Sequence, residues 1–288
     1  MIVVHDLQQL EPARRAVAIG VFDGVHLGHR AVIGAAVDSD RRSTVLTFDP
    51  HPRVVLGYGV QLLSSLERRI ELIEECGVDE VLVAEFTPDL SRLTPSEFAQ
   101  AVLEPVGAET IHVGAGFRFG HGRGGDVEVL RSLGYPVSAV DVVPGVSSSE
   151  IRASISEGDV ARAAGMLGRP FEVAGDVVVG DRRGGTLGFP TANLAVDPTL
   201  LVPAYGIYAG QVSGKRVAMS VGVNPHYGGT ERRIEAHLID FDGDLYGEYL
   251  TVEVWKRLRG ERAFENEDAL VQQIDRDVAD ARAATRPG

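Results

Sequence analysis

The chain has 288 residues, a formal net charge of −13, 44% hydrophobic and 24% charged residues, the balance of an ordinary globular protein with more sequence than one core usually takes. So acidic a chain argues against extended nucleic-acid binding, which rests on Lys and Arg neutralising phosphates. Lys215 and Lys256 are its two lysines, so a phosphate site before residue 215 must use arginine, histidine, backbone N–H groups or a metal, and a Walker-type P-loop is excluded.

Residues 17–21 and Ser43–Phe48 read as buried strands separated by a helix over His29–Ala36, which is a βαβ unit. Ser64-Ser65-Leu66-Glu67 has the form of a capping box and opens a helix with Leu66, Ile70 and Ile73 on one face, ended by Gly77. A strand at Glu80–Ala84 follows. Thr94-Pro95-Ser96-Glu97 is a second capping box with proline at the first helical position, and its helix runs to about Leu103. Strands at Thr110–Val113 and Val137–Val140 complete a doubly wound α/β domain with a parallel sheet. Residues 148–167 read as helical, behind a third capping-box match at Ser147–Glu150, and Gly168-Arg169-Pro170 stops them.

The texture then changes. Short β-rich runs at Glu172–Val179, Ile207–Val212, Val217–Val223, Ile234–Asp240 and Thr251–Leu258 are separated by turn signals such as Ser213-Gly214, which predicts a small antiparallel barrel or sandwich. A last helix, Glu267 to Ala284, carries Leu270, Ile274 and Val278 on one stripe. The expected domains are 1–168 and 169–288. No apolar run reaches the ~20 residues of a membrane span, the start Met1–Asp6 lacks a signal-peptide pattern, and the single cysteine, Cys76, fits a reducing compartment, so the expected setting is the cytoplasm.

Ligands of open parallel sheets sit at the carboxyl ends of the strands, so the segments just after each strand should converge. These are Gly20–His29, Asp49-Pro50-His51-Pro52, Gly114–Arg123 and Ser147–Arg152. Together they bring histidines, arginines and glycine-rich backbone, a composition suited to polyphosphate. Within Gly20–His29, a strand, a tight turn and a helix start aim backbone N–H groups at an anion, and His26 and His29 can both reach a phosphate there. Metal ligation by the two histidines is not expected, since no Cys or carboxylate lies at zinc spacing.

The most distinctive run is Gly180–Asn193. Its glycines allow close approach to a phosphate chain. Thr191 and Asn193 place a hydroxyl and an amide oxygen on one side of an extended segment, hard donors suited to Mg²⁺. In Arg232–His237, Glu235 and His237 alternate onto one face of a strand and Ile234 and Ala236 onto the other.

Gly-Val-Phe-Asp-Gly-Val-His-Leu-Gly-His (20–29) resembles the signature of HxGH-type nucleotidyltransferases. Thr47–Pro52, Gly116–Asp126 and Ser147–Arg152 narrow this, and Gly188–Asn193, Glu235, Pro203–Tyr208, Ser220–Pro225 and Phe241–Gly247 match riboflavin kinases. In order along nearly the whole chain, these motifs resemble the bacterial bifunctional riboflavin kinase/FMN adenylyltransferase family, also called FAD synthetases. The resemblance implies an HxGH-type Rossmann-like domain followed by a small β-barrel kinase domain. It also implies ATP-dependent phosphorylation of riboflavin to FMN and adenylylation of FMN to FAD, with Mg²⁺.

By the same resemblance Glu235 is the catalytic base of the kinase and His26, His29 and Arg152 serve adenylyl transfer. Nucleotide would be held by Gly20, Phe22, Asp23, Gly24, Gly28, Ser148, Gly180, Gly188, Pro190, Thr191 and Asn193, with Thr191 and Asn193 on the metal. Flavin would be held by Asp49, Pro50, His51, Gly116, Phe117, Arg118 and Arg123. Two positions depart from the family pattern: Ser149 stands where threonine is usual, and Gly116 where Asp or Asn is usual. The second leaves an alternative, a riboflavin kinase joined to a degenerate or redirected nucleotidyltransferase. The expected partners are riboflavin, FMN and ATP, with no nucleic acid and no membrane, and the oligomeric state is left open.

Overall fold

The computed structural model describes residues 1–141, 143–180, 188–223 and 232–288, and its chain divides into two compact units, Met1–Ser148 and Ser149–Gly288. Asp181–Leu187 of the glycine-rich run, and Asn224-Pro225, lie outside the described residues.

In the first unit β1 (Ile2–Val4), β2 (Arg15–Ile19), β3 (Arg42–Asp49), β4 (Glu80–Glu85), β5 (Ala108–Gly114) and β6 (Val137–Val140) form one sheet in the order β1-β4-β3-β2-β5-β6, all neighbours parallel. The doubly wound arrangement predicted from the alternating pattern is therefore present. The additions are β1, whose three residues are too few for periodicity to register, and a helix Val127–Ser132 capped by Asp126. β2 is buried along its length because both sheet faces are covered. Val17 and Ile19 pack with Leu46, Ile111 and Val113, while Ala16 and Ala18 pack with Val32, Ile33 and Ala36 of the helix Leu27–Val37. Strand order reverses at β2, which lies between β3 and β5, so the crevice outside the carboxyl ends of these strands is the topological switch point. At the amino ends, Arg15 and Glu80 form a buried ion pair at 2.7 Å that Thr44 joins at 3.1 Å. This network satisfies two charges that would be costly to bury alone.

Local signals are realised unevenly. The Thr94–Glu97 capping box forms as predicted. The box at Ser64–Glu67 does not: Ser65 caps the helix Leu66–Glu74 by accepting from Arg68 N–H, and Ser64 is released for another contact. The single helix expected over residues 148–167 is two, Ser148–Glu157 and Val160–Leu167. Gly158 turns left-handed at φ 85 and Asp159 restarts the helix as its cap.

In the second unit β7 (Phe171–Val178), β8 (Ala192–Ala195), β9 (Gly206–Val212), β10 (Lys215–Val223), β11 (Arg232–Leu238) and β12 (Tyr249–Arg259) close an antiparallel barrel in the order β10-β11-β8-β7-β12-β9. A barrel rather than a sandwich is therefore what the short strands build. β8 is the strand that the sequence pattern did not show. Along β11, Ile234, Ala236 and Leu238 are buried, and Arg233, Glu235 and His237 are half-buried on the other face. Ser213 and Gly214, both at positive φ, make the β9–β10 turn. The helix Glu267–Ala283 packs through Val278 and Ala281 against Ala209, Ala218 and Ile239. Of its predicted apolar stripe, Leu270 and Ile274 are only partly covered; the most buried side chains are Ala281 and Asp277. A charged group is tolerated there because Arg259 forks onto the Asp277 carboxylate at 2.7–3.1 Å.

Candidate active sites

The loop after β2 holds an uncommon backbone. Phe22 (φ 54) and Val25 (φ 38) lie in the left-handed region although neither is glycine, with Gly24 (φ 79) between them. Such strain persists only where surroundings impose it. Here Phe22 and Val25 are buried in the core, and the Asp23 carboxylate accepts hydrogen bonds from the backbone N–H groups of Leu63 (2.9 and 3.1 Å) and Ser64 (3.2 Å). Gly24 N–H donates to Ser64 Oγ at 3.3 Å. Asp23 thus ties the loop to the chain ahead of the helix Leu66–Glu74.

The helix after the loop begins at Leu27, two residues earlier than the sequence pattern suggests, and His26 is its cap: His26 Nδ1 accepts from His29 N–H at 3.2 Å. In the neutral ring the proton then sits on Nε2. The His26 and His29 rings stack, centroids 3.5 Å apart and 17° from parallel, and Phe22 meets His29 edge-on at 5.3 Å. Gly28 leaves room for the stack, since a Cβ there would lie 3.2 Å from the His26 ring and the ring would have to shift by a few tenths of an ångström. Two imidazoles are therefore held side by side at the amino end of a helix, where backbone N–H groups and the dipole favour an anion.

Sequence reasoning missed Arg69, which links the loop after β2 to the carboxyl end of β3. Its guanidinium is buried and donates to Val21 O (2.9 Å), Phe48 O (3.2 Å) and Asp49 Oδ1 (3.1 Å). Burial works against its charge; the carboxylates of Asp49 and Asp23 work for it. An arginine inside an apolar helical stripe, between Leu66 and Ile73, was the available signal. Thr47 Oγ1 also donates to Val21 O, at 2.9 Å. In the loop after β3, His51 is buried and caps the turn Pro52–Val55 by accepting from Arg53 N–H at 3.1 Å.

The loop after β5 is shaped by Phe119, which stacks on Phe117 at 5.6 Å and bridges to Gly125, where any side chain would strike its ring. Arg118 pairs with Asp126 at 2.6 Å across the loop, and Arg123 is exposed at φ 59. The Asp126 carboxyl is held below the usual carboxylate range, first by the Val129 backbone N–H and also by Arg118. Gly116 is exposed, and a side chain built on it meets nothing within 4 Å. Its lack of a side chain leaves the loop intact. Ser148 Oγ donates to Asp23 O at 3.4 Å, and Arg152 lies on the helix Ser148–Glu157.

In the second unit, strand register assembles a row. Asn193 on β8 pairs laterally with Glu235 on β11, and Glu235 with Ser220 on β10. Paired side chains on one face lie roughly 5 Å apart at Cβ, so amide, carboxylate and hydroxyl are neighbours outside the barrel. Gly180 lies directly against the Asn193 side chain, where no Cβ would fit. Gly180→Ala is expected to push the Asn193 amide from the row and cut activity at this site by about 100-fold, the cost of a misplaced group, with the melting temperature as control. A cleft of about 170 Å³ opens on the other face of these strands, against Val177, Ala192, Ala236 and Leu238. Its walls also include Thr191, Pro190, Asp242, Asp244 and Tyr246, and Gly188, two residues before Pro190, has φ 88 with open space around it.

Comparison with known proteins assigns both units. A family model described as FAD synthetase matches residues 8–157, and one described as riboflavin kinase matches residues 167–285. Bifunctional riboflavin kinase/FMN adenylyltransferases are similar along nearly their whole length. That of Bacillus subtilis is 34% identical over 96% of this chain and 94% of its own, and that of Escherichia coli K12 33% identical over 97% and 95%. That of Pseudomonas fluorescens is 36% identical over 100% and 99%. A crystal structure described as a macrolide-efflux protein from Streptococcus pneumoniae superposes with a TM-score of 0.89 at 29% identity, covering 99% of both chains. No helix among the described residues is long and apolar enough to cross a membrane.

Proposed function

This chain belongs to the bifunctional riboflavin kinase/FMN adenylyltransferase family, and from that membership we propose that its second unit phosphorylates riboflavin with ATP and its first transfers AMP from ATP to FMN, giving FAD and pyrophosphate. The observation that carries the kinase assignment is the lateral row Asn193–Glu235–Ser220, with Thr191 two residues before Asn193 on the same extended segment. Phosphoryl transfer to an alcohol needs a group to take the hydroxyl proton as the oxygen attacks the γ-phosphorus, and Glu235 is that group. Thr191 Oγ1 and Asn193 Oδ1 are hard oxygens, and among the described residues no cluster of three His, Cys, Asp or Glu forms a dedicated cage. This donor set fits Mg²⁺, which shares its coordination with phosphates and water. When bound, the ion offsets charge on the transferring phosphates.

Adenylyl transfer is chemically different. The FMN phosphate is already ionised, so an oxygen of it attacks the α-phosphorus without a general base while pyrophosphate leaves. What the site must supply is alignment and charge stabilisation. The His26 Nε2–H, His29 and the N–H groups opening the helix Leu27–Val37 are suited to this. The remaining glycines of Gly20–Gly28, with Phe22 and Asp23, shape that cradle. Ser148 and Arg152 enter through the motif they share with the family. Asp49, Pro50, His51, Phe117, Arg118 and Arg123 are assigned to flavin on the same ground. No observation favours a degenerate first unit, since the loop at Gly116 keeps its packing. The proposed setting is the cytoplasm.

Incubation with ATP, Mg²⁺ and either riboflavin or FMN, followed by chromatography of the flavins, tests both halves. FMN and then FAD should appear from riboflavin, and FAD from FMN. Accumulation of FMN with no FAD would overturn the adenylyl-transfer assignment, and no FMN from riboflavin would overturn the kinase.

A further inference from the structure

The β8–β11 ladder is short. It pairs Asn193 with Glu235 and Ala192 with Ala236, and no further. Proline at 190 has no N–H with which to extend it, so the segment Gly188–Thr191 leaves the sheet just where the row of polar groups needs a fixed backbone. His237 lies two residues beyond Glu235 on the same face of β11. Its Nδ1 lies 2.8 Å from Pro190 O, and its ring meets Phe189 nearly perpendicular, centroids 5.6 Å apart and 79° between planes. A proline carbonyl only accepts, so Nδ1 bears the proton and donates. Both contacts act on the residues immediately before Thr191, which lines the cleft.

Resting on the kinase assignment above, we propose that His237 is the positioning residue of this segment. Its Nδ1–H hydrogen bond to the Pro190 carbonyl replaces the missing ladder bond and fixes Thr191 toward the phosphates of bound ATP. His237 touches no reacting atom in this role. It differs from a residue that merely completes the barrel, because the tie is directed at one carbonyl and can be replaced by any side chain offering an N–H at the same reach. Asparagine offers one and alanine does not.

The test uses the full-length chain and its riboflavin kinase reaction. His237→Ala should raise the KM for ATP about tenfold, the worth of one hydrogen bond at its upper range, with the KM for riboflavin and the melting temperature little changed. His237→Asn should recover to within about threefold of the unmodified protein. Hydrogen exchange of the Thr191–Asn193 amides, measured without substrates, should quicken in the alanine variant and not in the asparagine variant. Unchanged ATP kinetics in His237→Ala, equal impairment of both variants, or unchanged exchange would each overturn the proposal. If the unmodified protein makes no FMN from riboflavin, the kinase assignment fails, and the exchange measurement still decides whether His237 holds the segment.

Discussion

Glu235→Gln is expected to lower the kcat/KM of riboflavin phosphorylation by two to four orders of magnitude, the range for loss of a positioned general base. FAD formation from supplied FMN should stay at the rate of the unmodified protein. The substitution keeps the size and the hydrogen-bonding reach of the side chain but removes its capacity to take a proton from the ribityl hydroxyl. It should leave the barrel undisturbed, because Glu235 is on the outer face of β11, between Asn193 and Ser220, while Ile234 and Ala236 supply the interior. Activity should fall with the KM values nearly constant, because the lost interaction is made only in the transition state. Asn193→Ala should give a similar loss with a rise in the KM for ATP, since that side chain is assigned to the metal–phosphate complex rather than to the proton. Chromatographic separation of riboflavin, FMN and FAD reads both halves in one assay. Simultaneous loss of both activities in Glu235→Gln would count against separate sites.

His29→Ala is expected to reduce FAD formation from FMN by about 100- to 1000-fold, the scale for removing one preorganised donor from developing charge, and to leave riboflavin phosphorylation intact. His29 is held by two rings, His26 stacked on one face and Phe22 against its edge, so its position does not depend on substrate. His26 has a second duty as the helix cap. His26→Ala should therefore lose both adenylyl transfer and about 1 kcal/mol of stability, whereas His26→Asn should restore the stability, because asparagine is itself a good cap, without restoring activity. Thermal melts beside the flavin assay separate the two effects. Recovery of FAD synthesis in His26→Asn would show that the imidazole acts only as a cap.

The candidate chemistry was legible where it is written in contiguous residues. His26 and His29 stand three apart at a helix start, and Thr191 and Asn193 two apart on an extended segment, so spacing alone fixes their mutual geometry. The parallel sheet was legible for a similar reason: the central strands β2, β3 and β4 carry short buried runs rich in Val, Leu and Ile, and these alternate along the chain with helical segments. β1, with three residues, carries too little pattern to separate from loop, and β8 (Ala192–Ala195) starts directly behind Gly188-Phe189-Pro190, where glycine and proline argue against a strand. The Ser64–Glu67 capping box misled because the motif fits two registers, and Ser65 won once Ser64 was drawn to Gly24, a contact forty residues away in sequence.

By itself, then, the amino-acid sequence determined the order of a doubly wound domain and a β-rich domain, the absence of a lysine-based phosphate loop in the first, and the segments rich in glycine, histidine and arginine whose composition suits a polyphosphate. These follow from local periodicity and composition, which act over one or two turns of chain. Only the tertiary structure decided which groups stand beside which. Arg69 joins the loop after β2 to the carboxyl end of β3, Asp23 serves that loop's shape, Ser220 flanks Glu235, and His237 holds Pro190. Each depends on strand register or on a buried polar group finding its partner, and both are set by pairing across long sequence separations that periodicity does not encode.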